Sequence, residues 1–191
     1  KYPVQLGHIL LITNEWKEQN GWIDIKDWEA IKEVNKDTTG LWFFNSGPLA
    51  GASQPHRHIQ LLRRDPSELS CPREKWILDF DNVNYKNQRF YKNIILKKFS
   101  KTLNKENIHE IYKVLSYKLG LGKPEIDKKP RYPYNLIFTN HWMLLIKRKT
   151  DNLYGISVNA LGFAGYILVT EKSDINYLKK IGPEKLLENF L

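Results

Sequence analysis

The sequence predicts an α+β fold with a mainly antiparallel sheet flanked by helices, in a single domain over residues 1–191. Three observations lead there. Segments with strand periodicity and segments with helix periodicity are interspersed without the regular β-α-β alternation of a parallel sheet. Two apolar runs, Tyr134 to Thr139 and Trp142 to Lys147, are joined only by Asn140-His141, which is hairpin spacing. The 191 residues are 41% hydrophobic and 13% aromatic, enough to bury a core and too apolar for a disordered chain.

In chain order, Val4 to Thr13 carries the apolar stretch Ile9 to Ile12, ends at polar Thr13-Asn14 and reads as a buried strand. Ile25, Trp28, Ile31 and Val34 recur every three residues, with Asp24 as N-cap and Asp27 and Glu29 in the first turns, which predicts an amphipathic helix. Leu41 to Phe44 is a second short strand. It runs into Asn45-Ser46-Gly47-Pro48 and Gly51-Ala52-Ser53-Gln54-Pro55, whose small residues suit tight turns and close approach to a ligand. His56 to Leu62 is a third strand. The stretch 65–103 is polar and basic and reads as an irregular insertion. Asn104 caps a helix with Ile108, Ile111, Leu115 and Leu119 on one face, ended by Gly120 and Gly122. A Lys- and Pro-rich loop from Gly122 to Pro133 leads into the hairpin. Tyr154 to Val169 is expected to close the sheet around Gly162 and Gly165, and a short helix from Ser173 precedes Gly182-Pro183.

Thirty Lys and Arg stand against 21 Asp and Glu, a net charge of +9, so the surface attracts polyanions: nucleic acid, anionic lipid or a phosphorylated small molecule. The longest apolar runs, such as Trp142 to Ile146, fall far below the roughly 18 residues of a bilayer span, so no membrane association is expected. The single Cys71 leaves no internal disulfide and no multi-cysteine zinc site, and a reducing cytoplasm is the simplest location.

His56, His58 and Gln60 alternate with Arg57 and Ile59. On a strand, a side-chain period of two puts the three on one face. A lone histidine on a strand is most often a satisfied, partly buried imidazole. Three polar groups in a row are harder to reconcile with packing, because every buried polar atom needs a partner. A zinc site needs a third ligand, and His8, His109 and His141 lie in other elements without metal spacing, so no metal ligand is assigned and those three are read as ordinary. Phosphoryl or nucleotidyl transfer fits better. An imidazole nitrogen attacks phosphorus, neighbouring donors hold phosphate oxygens, and the small-residue turn offers backbone N–H groups.

Together, Asn45-Ser46-Gly47, Gly51-Ala52-Ser53-Gln54 and His56-x-His58-x-Gln60 resemble the active-site stretch of the histidine-triad superfamily, in the branch that ends its triad with Gln. Within that branch, the run Gly51 to Gln60 together with Tyr134-Asn135-Leu136, Trp142-Met143 and Gly155 to Gly165 is similar to the diadenosine tetraphosphate phosphorylases, or ATP adenylyltransferases. The resemblance implies a histidine-triad-like fold and cleavage of diadenosine tetraphosphate by inorganic phosphate to ADP and ATP. It implies His58 as the nucleophile that forms an adenylyl-imidazole, its other ring nitrogen donating to a backbone carbonyl. By the same resemblance, His56 orients the site and assists the phosphate oxygens, and Gln60 hydrogen-bonds phosphate without titrating. Gly51, Ala52, Ser53 and Gln54 match the phosphate-binding turn, Asn45 a substrate-binding Asn, and Asn159, Ala160 and Leu161 a further nucleotide-contacting segment. A divalent cation such as Mg2+ is expected on the substrate polyphosphate, with no protein ligand to assign. The family extends further at its N-terminus, so the chain is expected to lack an N-terminal portion.

Within the same fold, a hydrolase of dinucleoside polyphosphates or a uridylyltransferase-like enzyme is the nearest alternative. A basic nucleic-acid-binding module would account for the charge and the aromatics but would leave His56, His58 and Gln60 unexplained. The expected partners are therefore a small nucleotide and phosphate, not nucleic acid. Nothing in the sequence sets the oligomeric state.

Overall fold

The computed structural model describes residues 7–80, 88–99 and 105–191. At its centre is an antiparallel sheet of β1 (His8–Ile12), β2 (Gly40–Asn45), β3 (His58–Arg63), β4 (Ile94–Lys98), β5 (Tyr134–Phe138) and β6 (Trp142–Lys147), ordered β1-β3-β2-β5-β6-β4. The helices are α1 (Ile25–Val34), α2 (Glu74–Leu78), α3 (Gln88–Asn93), α4 (Lys105–Lys118), α5 (Ala160–Ala164) and α6 (Ile175–Glu188). A single 3-10 turn, Pro48–Ala50, follows β2, and a two-residue ribbon, β7 (Asn152–Leu153) with β8 (Ile156–Ser157), precedes α5.

Alternation along the strands divides the core in two. Trp42, Phe44, Ile59, Leu61, Leu136 and Leu145 face α1 and α4, where Trp28, Ile31, Tyr112 and Leu115 close over them. Leu41, Phe43, Leu62, Ile137, Leu144 and Ile146 face the other way, under α5, α6 and the segment around α2. The α1 helix starts as its residues dictate: the Asp24 side chain accepts from the N–H groups of Lys26 and Asp27, and Asp27 returns the bond to the Asp24 N–H, a capping box. The predicted hairpin is present, turning through Thr139 to His141. The expected Asn104 cap of α4 lies outside the described residues.

Three local expectations are revised. The first strand is an edge, not a buried strand: Leu10 and Ile12 are each 52% exposed, because nothing in the described fold packs over their face. The stretch 65–103 is not irregular throughout, since α2, α3 and the sheet strand β4 lie inside it. Residues 154–169 do not close the sheet; their apolar run coils into α5 instead. The short helix expected ahead of Gly182-Pro183 is present from Ile175. Gly182, at φ 78°, breaks it, and Pro183 starts a second segment running to Glu188, because proline suits the first turn of a helix. Among the described residues no helix is long and apolar enough to cross a membrane.

Candidate active site

The triad strand begins two residues later than its pattern suggests. β3 starts at His58, and His56 makes an isolated antiparallel bridge to Glu18. Parity still holds. Arg57 points to the other face, where its guanidinium is buried, pairs with Asp27 at 2.8 Å and donates to the carbonyls of Glu18 and Trp22. Burial pushes the Asp27 carboxyl up, against the pull of Arg57.

His58 is 8% exposed. Its Nδ1 donates to the carbonyl of His56 at 2.8 Å. A carbonyl can only accept, so Nδ1 carries the hydrogen, and in the neutral ring Nε2 presents a lone pair. That is the tautomer an attacking imidazole needs.

His56 is held differently. Its Nε2 lies 3.1 Å from both the Glu15 carbonyl and the Thr13 hydroxyl, which itself donates to Glu15, and its ring stacks on Trp16 at 5.1 Å. The His56 ring is thus committed to the 13–16 segment, and its backbone carbonyl steers His58.

Gln60 meets a residue that sequence reasoning set aside. His8, on β1, donates from Nε2 to Gln60 Oε1 at 3.0 Å, leaving the Gln60 amide nitrogen to donate elsewhere. The sheet register makes this pair: Leu10 faces Gln60 and His8 faces Leu62, so His8 is the diagonal neighbour. Burial holds the His8 pKa below its usual value, against the bond to Gln60. No local pattern in the sequence encodes that register.

The small-residue turn is built mostly by its own hydrogen bonds. The N–H groups of Ala50 and Ala52 donate to Gly47, and that of Gly51 to Pro48. Gly51 has φ +85°, and a Cβ there would stand 2.6 Å from the Asn159 Cβ, so packing by itself requires glycine at this position. The donors of Gly51 and Ala52 expected to cradle phosphate are therefore spent. Ser53 and Gln54 are exposed, and among the described residues their N–H groups have no protein partner, so they are the open donors of the turn.

Asn45 also turns inward. Its Oδ1 accepts from the Ala160 N–H at 2.9 Å and from Asn135 at 2.8 Å. Ala160 and Leu161, expected to contact nucleotide, are fully buried, and the Leu161 N–H is capped by Asn159 at 2.9 Å. These residues join the turn to α5 rather than lining a surface; Asn159 alone of the three stays partly exposed. Asn135 also donates to the Ala50 carbonyl at 2.8 Å and accepts from Arg148. Arg148 is buried, donates to the carbonyls of Thr150, Val158 and Phe190, and has its pKa drawn down to about 9 by burial. Asn135, Arg148 and Gln19, which bonds the backbone of both Asn45 and His58, are site-building residues the sequence did not mark. Among the described residues no cluster of three or more His, Cys, Asp or Glu is placed to hold a metal ion.

Comparison with known proteins matches residues 1–77 to the family described as Ap4A phosphorylase N-terminal domain and residues 78–190 to the ATP adenylyltransferase C-terminal domain. Two curated proteins of Saccharomyces cerevisiae are similar. Protein APA1 is 24% identical over the whole chain, and diadenosine 5',5'''-P1,P4-tetraphosphate phosphorylase 2 is 23% identical over 93% of it. The chain spans 65% and 63% of their respective lengths. Among solved structures, yeast Ap4A phosphorylase Apa2 superposes with a TM-score of 0.63 at 19% identity, covering 96% of this chain and 66% of that one. Its complex with Ap4A superposes at 0.66, again with 19% identity, over 96% of this chain and 67% of that one. These likenesses establish the histidine-triad-like fold.

Proposed function

This chain belongs to the Ap4A phosphorylase and ATP adenylyltransferase family, and from that membership we propose that it cleaves diadenosine tetraphosphate with inorganic phosphate to give ADP and ATP, and runs the reverse adenylyl transfer. One observation carries the reading at the level of chemistry. The His58 Nδ1–H is tied to the His56 carbonyl, so in the neutral ring Nε2 offers its lone pair as the nucleophile.

In the forward reaction Nε2 attacks the α-phosphorus of one adenylyl group. The bond from that phosphorus to the bridging oxygen breaks and ATP leaves. An oxygen of inorganic phosphate then attacks the same phosphorus, the P–N bond breaks, ADP leaves and the imidazole is restored. The amide nitrogen of Gln60 and the N–H groups of Ser53 and Gln54 supply donors for the phosphoryl oxygens as charge builds on them. His56 serves through its backbone carbonyl. A divalent cation such as Mg2+ travels with the polyphosphate and shields its charge. We place the protein in the cytoplasm, consistent with a lone, buried Cys71 whose thiol burial pushes up to about 11.

The test is to incubate the protein with diadenosine tetraphosphate, with and without phosphate, and to separate the products by charge. The expected result is phosphate-dependent ADP plus ATP with little AMP. Phosphate-independent AMP as the main product would overturn the transferase reading in favour of hydrolysis.

A further inference from the structure

Where β2 and β3 would go on pairing, a side chain stands between them. Their register runs from Gly40 opposite Arg63 to Phe43 opposite Gln60, and continued two residues further it would set Asn45 opposite His58. Instead the buried Gln19 amide lies across that pair. Its Oε1 accepts from the His58 N–H at 2.8 Å, and its Nε2 donates to the carbonyls of Asn45 at 2.8 Å and His58 at 3.1 Å. A side-chain amide offers the same donor and acceptor as a peptide unit, so it fills the ladder while holding the two strands further apart than direct pairing would.

Gln19 is itself anchored. Its N–H donates to the Pro55 carbonyl at 2.8 Å, and the adjoining Glu18 carbonyl receives both Nε and Nη2 of buried Arg57. We propose that Gln19 is a positioning residue, an amide spacer that sets the distance between the nucleophile His58 and the phosphate-facing turn entered at Asn45. The inference rests on the adenylyl-transfer reading above. One amide holds both the residue that attacks and the strand end that leads to the open donors of Ser53 and Gln54. Without it, either the strands zip and carry His58 toward the turn, or both His58 backbone groups lose their partner and the Asn45 carbonyl keeps only the Gly47 N–H. Each result shifts Nε2 from the line of attack, and a misplacement of about 1 Å costs roughly a hundredfold in rate.

Two substitutions test this. Gln19→Met keeps the length of the side chain and removes its hydrogen bonds. It should lower kcat for diadenosine tetraphosphate phosphorolysis about a hundredfold, with KM changed by less than about threefold and the fold retained by circular dichroism. Gln19→Glu keeps an acceptor but regains a donor only when protonated, so its activity relative to wild type should rise as pH falls. A purely structural role would leave the two pH profiles parallel. Ring 15N shifts of His58 give a reading that needs no substrate: protonation at Nδ1 in the wild type, and mixed tautomers in Gln19→Met. A folded Gln19→Met with wild-type kcat and an unmoved His58 ring overturns the proposal. If Gln19→Met does not fold, parallel pH profiles for Gln19→Glu overturn it. Wild-type protein that leaves diadenosine tetraphosphate intact overturns the proposed function instead, and the ring shifts alone then decide the positioning role.

Discussion

The hairpin half of the sheet and the half that bears the triad are made from equally apolar strands, yet they are finished differently. Every residue of β5 and all but the last of β6 are buried, with helices over both faces. On β1 only one face is packed; Ile9 and Leu11 join the core while Leu10 and Ile12 stay open beside Gln60 and His58. The covered half supplies rigidity, and the uncovered half supplies access. Polar bonds supplement packing at the open edge: His8 to Gln60, Thr13 to His56 and the His56 carbonyl to the His58 ring fix the side chains there.

Substitutions in the two halves should therefore fail in different ways. The largest effect is expected from His58→Ala, which should lower turnover by at least roughly a thousandfold, about 4 kcal/mol in barrier, with an unchanged thermal melt. A variant that keeps most of its activity would move the nucleophile to another group. In the covered half, Leu144→Ala should cost about 2–5 kcal/mol of stability in urea titration while activity per folded molecule is preserved. Lost activity with unaltered stability there would erase the division between the halves. Gln60→His should shift products more than rate. A third imidazole can take a proton from water where an amide cannot, so AMP formed without phosphate should rise roughly severalfold relative to ADP plus ATP. Smallest is Leu10→Ser on the open face, expected within about 0.5 kcal/mol of wild type by the same titration. A loss as large as that of Leu144→Ala would mean the edge is covered after all.

How far the sequence could be read follows this same division. The Asp24 cap, the α1 stripe, the hairpin and the shared face of His58 and Gln60 all come from local spacing, and the structure has each of them. What local spacing omits is the neighbour. Ile9 to Ile12 looks the same whether the strand is central or at an edge, so its open face was missed. His8 matters because of register, and Gln19 because of depth; each is one polar residue without a periodic signature. Gly51 is expected to bring the backbone close to a phosphate, and what lies close to it in the fold is Asn159. Ala160 and Leu161 act from inside, through backbone N–H groups that donate to Asn45 and Asn159.

The order of strands has a consequence for synthesis. Trp42 of β2 pairs with Phe138 of β5, so the seam between the two family-matched segments closes only after the second has been made. A ribosome adding about 5–20 residues per second leaves the outer edge of β2 unpaired for several seconds. Every residue of that strand is buried in the finished protein, and an open apolar edge of this kind invites other nascent chains to add to it. The interval of greatest aggregation risk is therefore set by the time between two strands that end as neighbours. In that interval the vulnerable surface is Gly40 to Asn45, at the heart of the eventual fold.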